Sequence, residues 1–365
     1  ELPITPLREA DGSRATVSVS MPDGPDLIAR IFVASVGRVP LLLLDSDVEQ
    51  NPPHLREVTD RLYGGTSEHR LRQELLLGVG GVRALRAYSR ITGAPEPEVY
   101  HTNEGHAGFL GVERIRELTV AEDGPKLDFD TALEVGRAST VFTTHTPVPA
   151  GHDRFDVDQV LACAGPVWEE LGITPEQFVA IGGHPEDGHP MYHMTATAIR
   201  LSARVNGVAQ KHGEVSREIW RPMWPGLEAD QVPIGAVTNG VHLPTWMSGH
   251  MRHLLDRHLG EGWLERGDEP NFWDAVLSVD DHELWHMHTE MELNLFTFSR
   301  EDARRRWTER WKEAAHVVGA GTLLSPGALT IGFARRFATY KRASLLFSDF
   351  DRLHERHVEA EDVFC

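Results

Sequence analysis

The stretch STVFTTHTPVPAGHD (residues 139–153) reads as a short apolar strand that ends in His145 and a loop stiffened by Pro147 and Pro149. The same pattern recurs three times. PEVYH (97–101) runs into TNEGHAG (102–108), VPIGAV (232–237) into TNGVHLP (238–244), and ALTIGF (328–333) into ARRFATYKRA (334–343). Short strands alternating with helical segments predict a parallel sheet with helices on its faces, the α/β class. In such a sheet ligands bind outside the carboxyl ends of the strands, so four polar exits predict one binding region.

Outward from these strands the pattern changes. ATVSVSMP (15–22) and LIARIFVASVGRVPLLLLDSD (27–47) read as hairpin strands leading into a buried strand. EHRLRQELLLGVGGVRALRAYSRI (68–91) has the apolar spacing of an amphipathic helix. Gly78, Gly80 and Gly81 each weaken that helix by up to ~1 kcal/mol relative to Ala, and a run of this kind predicts close packing.

Composition bounds the function. The chain has 365 residues, 41% of them apolar, which is enough for a large core and favours two domains. It carries 36 Lys and Arg against 55 Asp and Glu, a formal net charge of −19, which disfavours general binding to nucleic acid or anionic membrane. No apolar run reaches the ~20 residues of a membrane span, and no stretch reads as a secretory signal. Two cysteines make no disulfide framework, so a cytoplasmic setting is expected. The start at Glu1 and the abrupt stop after RLHERHVEAEDVFC read as part of a longer protein.

Against that acidic background Arg335, Arg336, Lys341 and Arg342 fall within eight positions. A guanidinium fork, an ammonium and a helix beginning near Lys341 would suit a phosphate group, while a solvated helix start fits the charges equally well. Glu104 and His106 offer a carboxylate and an imidazole just past a strand, suited to sugar hydroxyls or proton transfer. The structural alternative is a helix N-cap with a satisfied histidine. His145 could meet a substrate from a rigid loop, or merely satisfy a turn. His152 and Asp153 could extend a metal site, although no spacing requires one.

HELWH (282–286) matches the HExxH zinc-protease pattern. Its surroundings, DDHELWHMHTEMELNLFTFSREDARRRWTERWKEAAH (280–316), read as a long charged helix without a third ligand. A surface or packing helix is the expectation, with no metal.

Taken together, TNEGHAGF (102–109), TTHTPVPAGHDRF (143–155), VNGVAQKHGEVSREIW (205–220), VTNGVHLPTW (237–246) and GFARRFATYKRA (332–343) resemble the bacterial α-glucan phosphorylases in order and spacing. LYGGTSEHRLRQELLLGVGGVRAL (62–85) fits the same family, so the resemblance covers nearly the whole chain. It implies a GT-B-type glycosyltransferase fold, with Rossmann-like parallel sheets and an active-site cleft between two domains. Residues 1–326 would be the later part of the N-terminal domain, and 327–365 the first βα unit of the next.

The resemblance also implies an activity: phosphorolysis of terminal α-1,4-linked glucose from glycogen, starch or maltodextrin, releasing glucose 1-phosphate with retention. Arg336 and Lys341 match phosphate-binding positions, and His145 the histidine at the cleavage point. Glu104, His106 and Asn239 match residues lining the sugar site. Glu104 stands where the animal enzymes have an aspartate. The implied partners are α-1,4-glucan and inorganic phosphate, with a homodimer as the common assembly. The implied cofactor is pyridoxal 5'-phosphate, whose anchoring lysine is expected beyond residue 365. The family's N-terminal glycine-rich loop is likewise expected before residue 1. By itself the chain is then expected to be inactive. An inactive glucan-binding relative and a nucleotide-sugar glycosyltransferase of the same fold remain as alternatives.

Overall fold

In β3 (Leu27–Val36), Leu27, Ala29 and Ile31 are fully buried in alternation with more exposed residues, the period of a strand with one face on a core. The computed structural model that carries it describes residues 3–21, 24–62, 65–121, 124–184, 191–310, 319, 324–326, 330–335 and 339–353. The chain divides into two compact units, residues 1–240 and 241–365.

The first unit opens with an antiparallel sheet centred on β3. One edge of β3 pairs with β2 (Thr16–Val19) and then β1 (Ile4–Pro6), and the other edge with β4 (Val39–Asp45). The hairpin from β3 to β4 turns at Gly37, whose φ of +59° suits a residue without a Cβ. The hairpin strands expected here form, and β4 is buried on one face only. Leu41 and Leu43 are exposed, while Leu42 and Leu44 pack on the core, because the antiparallel pleat sends alternate side chains to solvent.

The glycine-rich helix forms as expected, with a refinement. Ser67–Leu75 and Gly81–Thr92 are α-helical, and Leu76–Gly80 between them is a single π-helical turn. Thr66 caps the start by accepting from the His69 N–H. Gly78 lies against the helix Phe109–Thr119, where a Cβ would come within 2.7 Å of both Leu110 N and Phe109 Cβ. That contact explains the glycine: any side chain there would push two helices apart.

The second sheet is parallel throughout, in the order β10 (Ile234–Ala236), β9 (Arg204–Gly207), β6 (Thr140–Thr143), β5 (Tyr100–Asn103), and between β6 and β9 in the chain β7 (Arg154–Asp156) and β8 (Met191–His193) form a separate antiparallel pair. Helices Phe109–Thr119 and Phe129–Ala138 connect β5 to β6, and Gln210–Trp220 connects β9 to β10. Phe142, Ala196, Ile199, Trp220 and Ile234 form an apolar cluster beside it. Glu113, fully buried in Phe109–Thr119, is paired to Arg83 at 2.7 Å and Arg116 at 2.7 Å, which offsets the cost of a charge removed from water.

The second unit holds the helices Gly249–Leu259 and Asp281–Arg310, packed through Leu254, Val279 and Met287. Two expectations change here. Residues 330–335 form no strand, and 327–329 lie outside the described residues. No long helix begins near Lys341 either. Thr339–Lys341 and Ala343–Phe347 are two short 3₁₀ turns, separated by Arg342 at φ +51°, where left-handed backbone interrupts helical hydrogen bonding.

Gly78→Ala is expected to lower the unfolding free energy by about 1–3 kcal/mol, read from urea denaturation, because its Cβ has no space between the two helices. A variant as stable as the parent would contradict the close-packing account.

Candidate functional site

The carboxyl ends of the parallel sheet are tied to one another strand by strand. Glu104 N donates to Thr143 O at 2.9 Å, Thr144 N to Asn206 O at 3.0 Å, Val237 N to Gly207 O at 2.9 Å, and Asn239 N to Val208 O at 3.1 Å. Three of the four predicted strand exits therefore lie along one edge. The fourth place is taken by β9, whose RVNG sequence has no apolar run to mark it as a strand.

Glu104 has an unusual geometry. Its φ is +63°, a conformation costly for a residue with a Cβ. Its carboxylate does not cap the following helix. Instead Oε1 accepts from the backbone N–H of His145, from Thr146 N at 2.7 Å and from Thr144 Oγ1 at 3.3 Å. The His145 side chain is exposed and makes no hydrogen bond among the described residues, so its backbone is held while its ring is left available.

His106 lies one turn on, in a 3₁₀ segment Gly105–Ala107. Its Nδ1 is 3.0 Å from Asp153 Oδ2 and 3.9 Å from Glu74 Oε1. Arg70 Nη2 donates to Asp153 Oδ2 at 2.9 Å and to Glu74 Oε1 at 3.2 Å. Its hydrogen bond with Asp153, and Glu74 beside it, raise the His106 pKa to about 9. Burial pushes the Glu74 carboxyl up to about 7. Burial also works to raise Asp153, but its hydrogen bonds to His106 and Arg70 outweigh it and hold that carboxyl at about 2.

Glu74, His106 and Asp153 are the one group of three metal-capable side chains that converge among the described residues, with ligand atoms within 4.8 Å of one another. Arg70 Nη2 stands 3.2 Å from His106 Nδ1 as well as against both carboxylates, so the cluster already contains its own cation at the point a metal would occupy. Asp153 thus belongs with His106 and Arg70. His152 turns away from it, is buried edge-on to Trp220 at 5.0 Å, and pairs with Thr195 Oγ1 at 3.0 Å.

Sequence alone does not single out Arg70 and Glu74. Their signal was present as an i,i+4 Arg–Glu pair on the helix Ser67–Leu75, indistinguishable in sequence from a surface pair. HELWH behaves as the expected surface helix. His286 is exposed beside Glu290 at 3.6 Å, and Glu283 is engaged by Arg257 and by His258 at 2.8 Å. Asn239 is exposed at the β10 exit, and Lys341 is half-buried in the second unit with its Nζ 4.6 Å from the Tyr340 ring centroid. Arg336 lies outside the described residues.

A mixed α/β protein with polar and titratable groups gathered at the carboxyl edge of a parallel sheet is the class defined by this fold and site. No family model matches the chain. It is 47% identical to glycogen phosphorylase of Mycobacterium tuberculosis over 360 residues, 97% of this chain and 41% of that protein. It is 38% identical to maltodextrin phosphorylase of Thermococcus litoralis, again over 97% of this chain and 40% of the relative. With glycogen phosphorylase of Aquifex aeolicus the identity is 33% over 88% of this chain and 45% of the relative. The chain is a homologue of the glycogen and maltodextrin phosphorylases, and spans about two-fifths of the length of the relatives it matches.

The ionic cluster predicts a pH dependence of stability with a definite sign. His106, held at about 9, contributes fully below its unfolded value of 6.5 and loses that contribution as the pH rises toward 9. Glu74 acts in the same sense between 4.5 and about 7. His152, pushed below 6.5 by burial, acts oppositely, and its contribution is lost as the pH falls below 6.5. Urea titrations between pH 6.5 and 9 are expected to show stability falling by up to a few kcal/mol, with a flatter slope in His106→Gln. The same slope in both proteins would refute the assignment.

Proposed function

We propose that the chain contributes to phosphorolysis of terminal α-1,4-linked glucose in a glycogen- or maltodextrin-type glucan, releasing glucose 1-phosphate with retention. The observation that carries this reading is the carboxylate of Glu104 fastening the backbone of His145 at the carboxyl edge of a parallel sheet that also ends in Asn239. The homology to proteins named glycogen and maltodextrin phosphorylase supports it.

In this reading His145 and Asn239 meet the terminal glucose, and Glu104 and His106 shape the wall beside it. Departure of the glucan leaves an oxocarbenium-like sugar, which a phosphate anion stabilises and then captures on the face the glucan left. Arg336 and Lys341 hold that anion, worth a few kcal/mol in a water-poor site. Residues 1–326 are assigned to the N-terminal domain of a GT-B-type fold and 327–365 to the start of the next. A dimer in the cytoplasm is the expected setting. Among the described residues no helix is long and apolar enough to cross a membrane.

Pyridoxal 5'-phosphate enters through the family resemblance and would supply acid–base chemistry beside the substrate phosphate. The described lysines do not fit its covalent anchor. Lys126 and Lys211 are exposed, with Lys211 paired to Glu214 at 2.8 Å, and Lys341 is assigned to the substrate anion.

The test is glucose 1-phosphate release from maltodextrin plus phosphate by the intact protein, with Arg336→Ala beside it. Release that requires phosphate and falls roughly 100-fold or more in the variant is the expected result. Maltodextrin binding without turnover would shift the reading to a glucan-binding relative. Turnover that requires a sugar nucleotide would shift it to a glycosyltransferase of the same fold.

A further inference from the structure

The turn Glu104-Gly105-His106 touches the loop 144–153 at both ends. At the first end Glu104 Oε1 accepts from Thr144 Oγ1, from the His145 N–H and from Thr146 N. At the second, His106 Nδ1 meets Asp153 Oδ2 at 3.0 Å. Arg70 Nη2 joins Asp153 to Glu74, tying that end to the helix Ser67–Leu75. Between the two ends Gly105 lies so close to Thr195 that a Cβ would sit 2.9 Å from Thr195 Oγ1, the same oxygen that pairs with His152 Nδ1 at 3.0 Å. Asp153 O also accepts from Met194 N at 3.1 Å.

This arrangement holds the loop 144–153 near both of its ends from one three-residue turn. The strain of Glu104 at φ +63° is what aims its carboxylate back across the strand exits at the loop, away from the helix that follows it. Between its ends the loop is further stiffened by a turn at Pro149–Gly151, where Gly151 N donates to Val148 O at 3.0 Å. His145 is the member of this loop whose backbone is held while its ring remains exposed.

We propose that the turn 104–106 is a clamp on the loop 144–153, and that Arg70, Glu74 and Asp153 are positioning residues for His145. The proposal rests on the phosphorolysis reading for its catalytic consequence, but the clamp itself is a property of the fold. A pinned backbone presents the His145 imidazole to a substrate with little ordering left to do on binding. Displacing such a loop by about 1 Å is the kind of change that costs roughly 100-fold in rate.

Two experiments on the intact protein test it. Asp153→Asn removes the charge that meets both Arg70 and His106, and should lower kcat/KM for glucan phosphorolysis roughly 10- to 100-fold, mainly through kcat. Made in a His145→Ala background, the same substitution should cost no more than about 2-fold further, because its effect passes through His145. Asp153→Glu should restore part of the loss, and Arg70→Met serves as the second disruption if Asp153→Asn fails to fold. Equal losses in both backgrounds, or full activity in Asp153→Asn, overturn the proposal.

The second experiment needs no turnover. Hydrogen exchange at the His145 and Thr146 amides should accelerate roughly 10-fold or more in Glu104→Ala, while the strand amides of β5 and β6 keep their protection. Unchanged exchange at those two amides overturns the clamp. Loss of the phosphorolysis reading would show instead as an unmodified protein that releases no glucose 1-phosphate, with the exchange result still standing.

Discussion

A parallel strand ends by leaving backbone donors and acceptors that its ladder no longer satisfies, and something must take them up before the chain can turn away. At the exit of β6 that role falls to the carboxylate of Glu104, which takes the N–H groups of His145 and Thr146 across from the exit of β5. A carboxylate is a strong acceptor for such a pair, and the backbone of Glu104 is bent into left-handed space to deliver it. Backbone bonds carry the linkage on to β9 and β10, so the edge on which a ligand would rest is a connected set of strand ends.

The ionic cluster beside this edge shows how charge is kept in a half-buried place. Arg70 supplies a permanent cation, Asp153 is held ionised by its hydrogen bonds to His106 and to Arg70, and His106 takes a proton because Asp153 is there to receive the bond. Glu74, buried behind them, is the group that yields, and its carboxyl rises to about 7. The same three side chains without Arg70 would resemble a metal site. With it they form a closed set of charges whose geometry serves the neighbouring loop.

Much of this was legible from residue order. The strand-and-exit pattern located β5, β6 and β10, and the glycines of 68–91 announced a close helix contact that Gly78 makes with Phe109 and Leu110. β9 escaped because RVNG lacks the apolar run of a strand, and it forms because β6 and β10 lie ready on either side. ALTIGF erred the other way. Its composition is that of a strand, yet its described residues, 330–333, do not form one.

The sequence by itself determined the α/β class, the family resemblance and the identity of the residues at the strand exits, because these follow from apolar periodicity and from local turn chemistry. Tertiary structure alone decided what those residues do to one another. Glu104 looked like a helix cap and became a brace for the His145 loop; Arg70 and Glu74 looked like a surface pair and became the back of a half-buried charge cluster. Such roles depend on which acceptor faces which donor across tens of residues of chain. That is fixed by sheet order and helix packing, which no local pattern records.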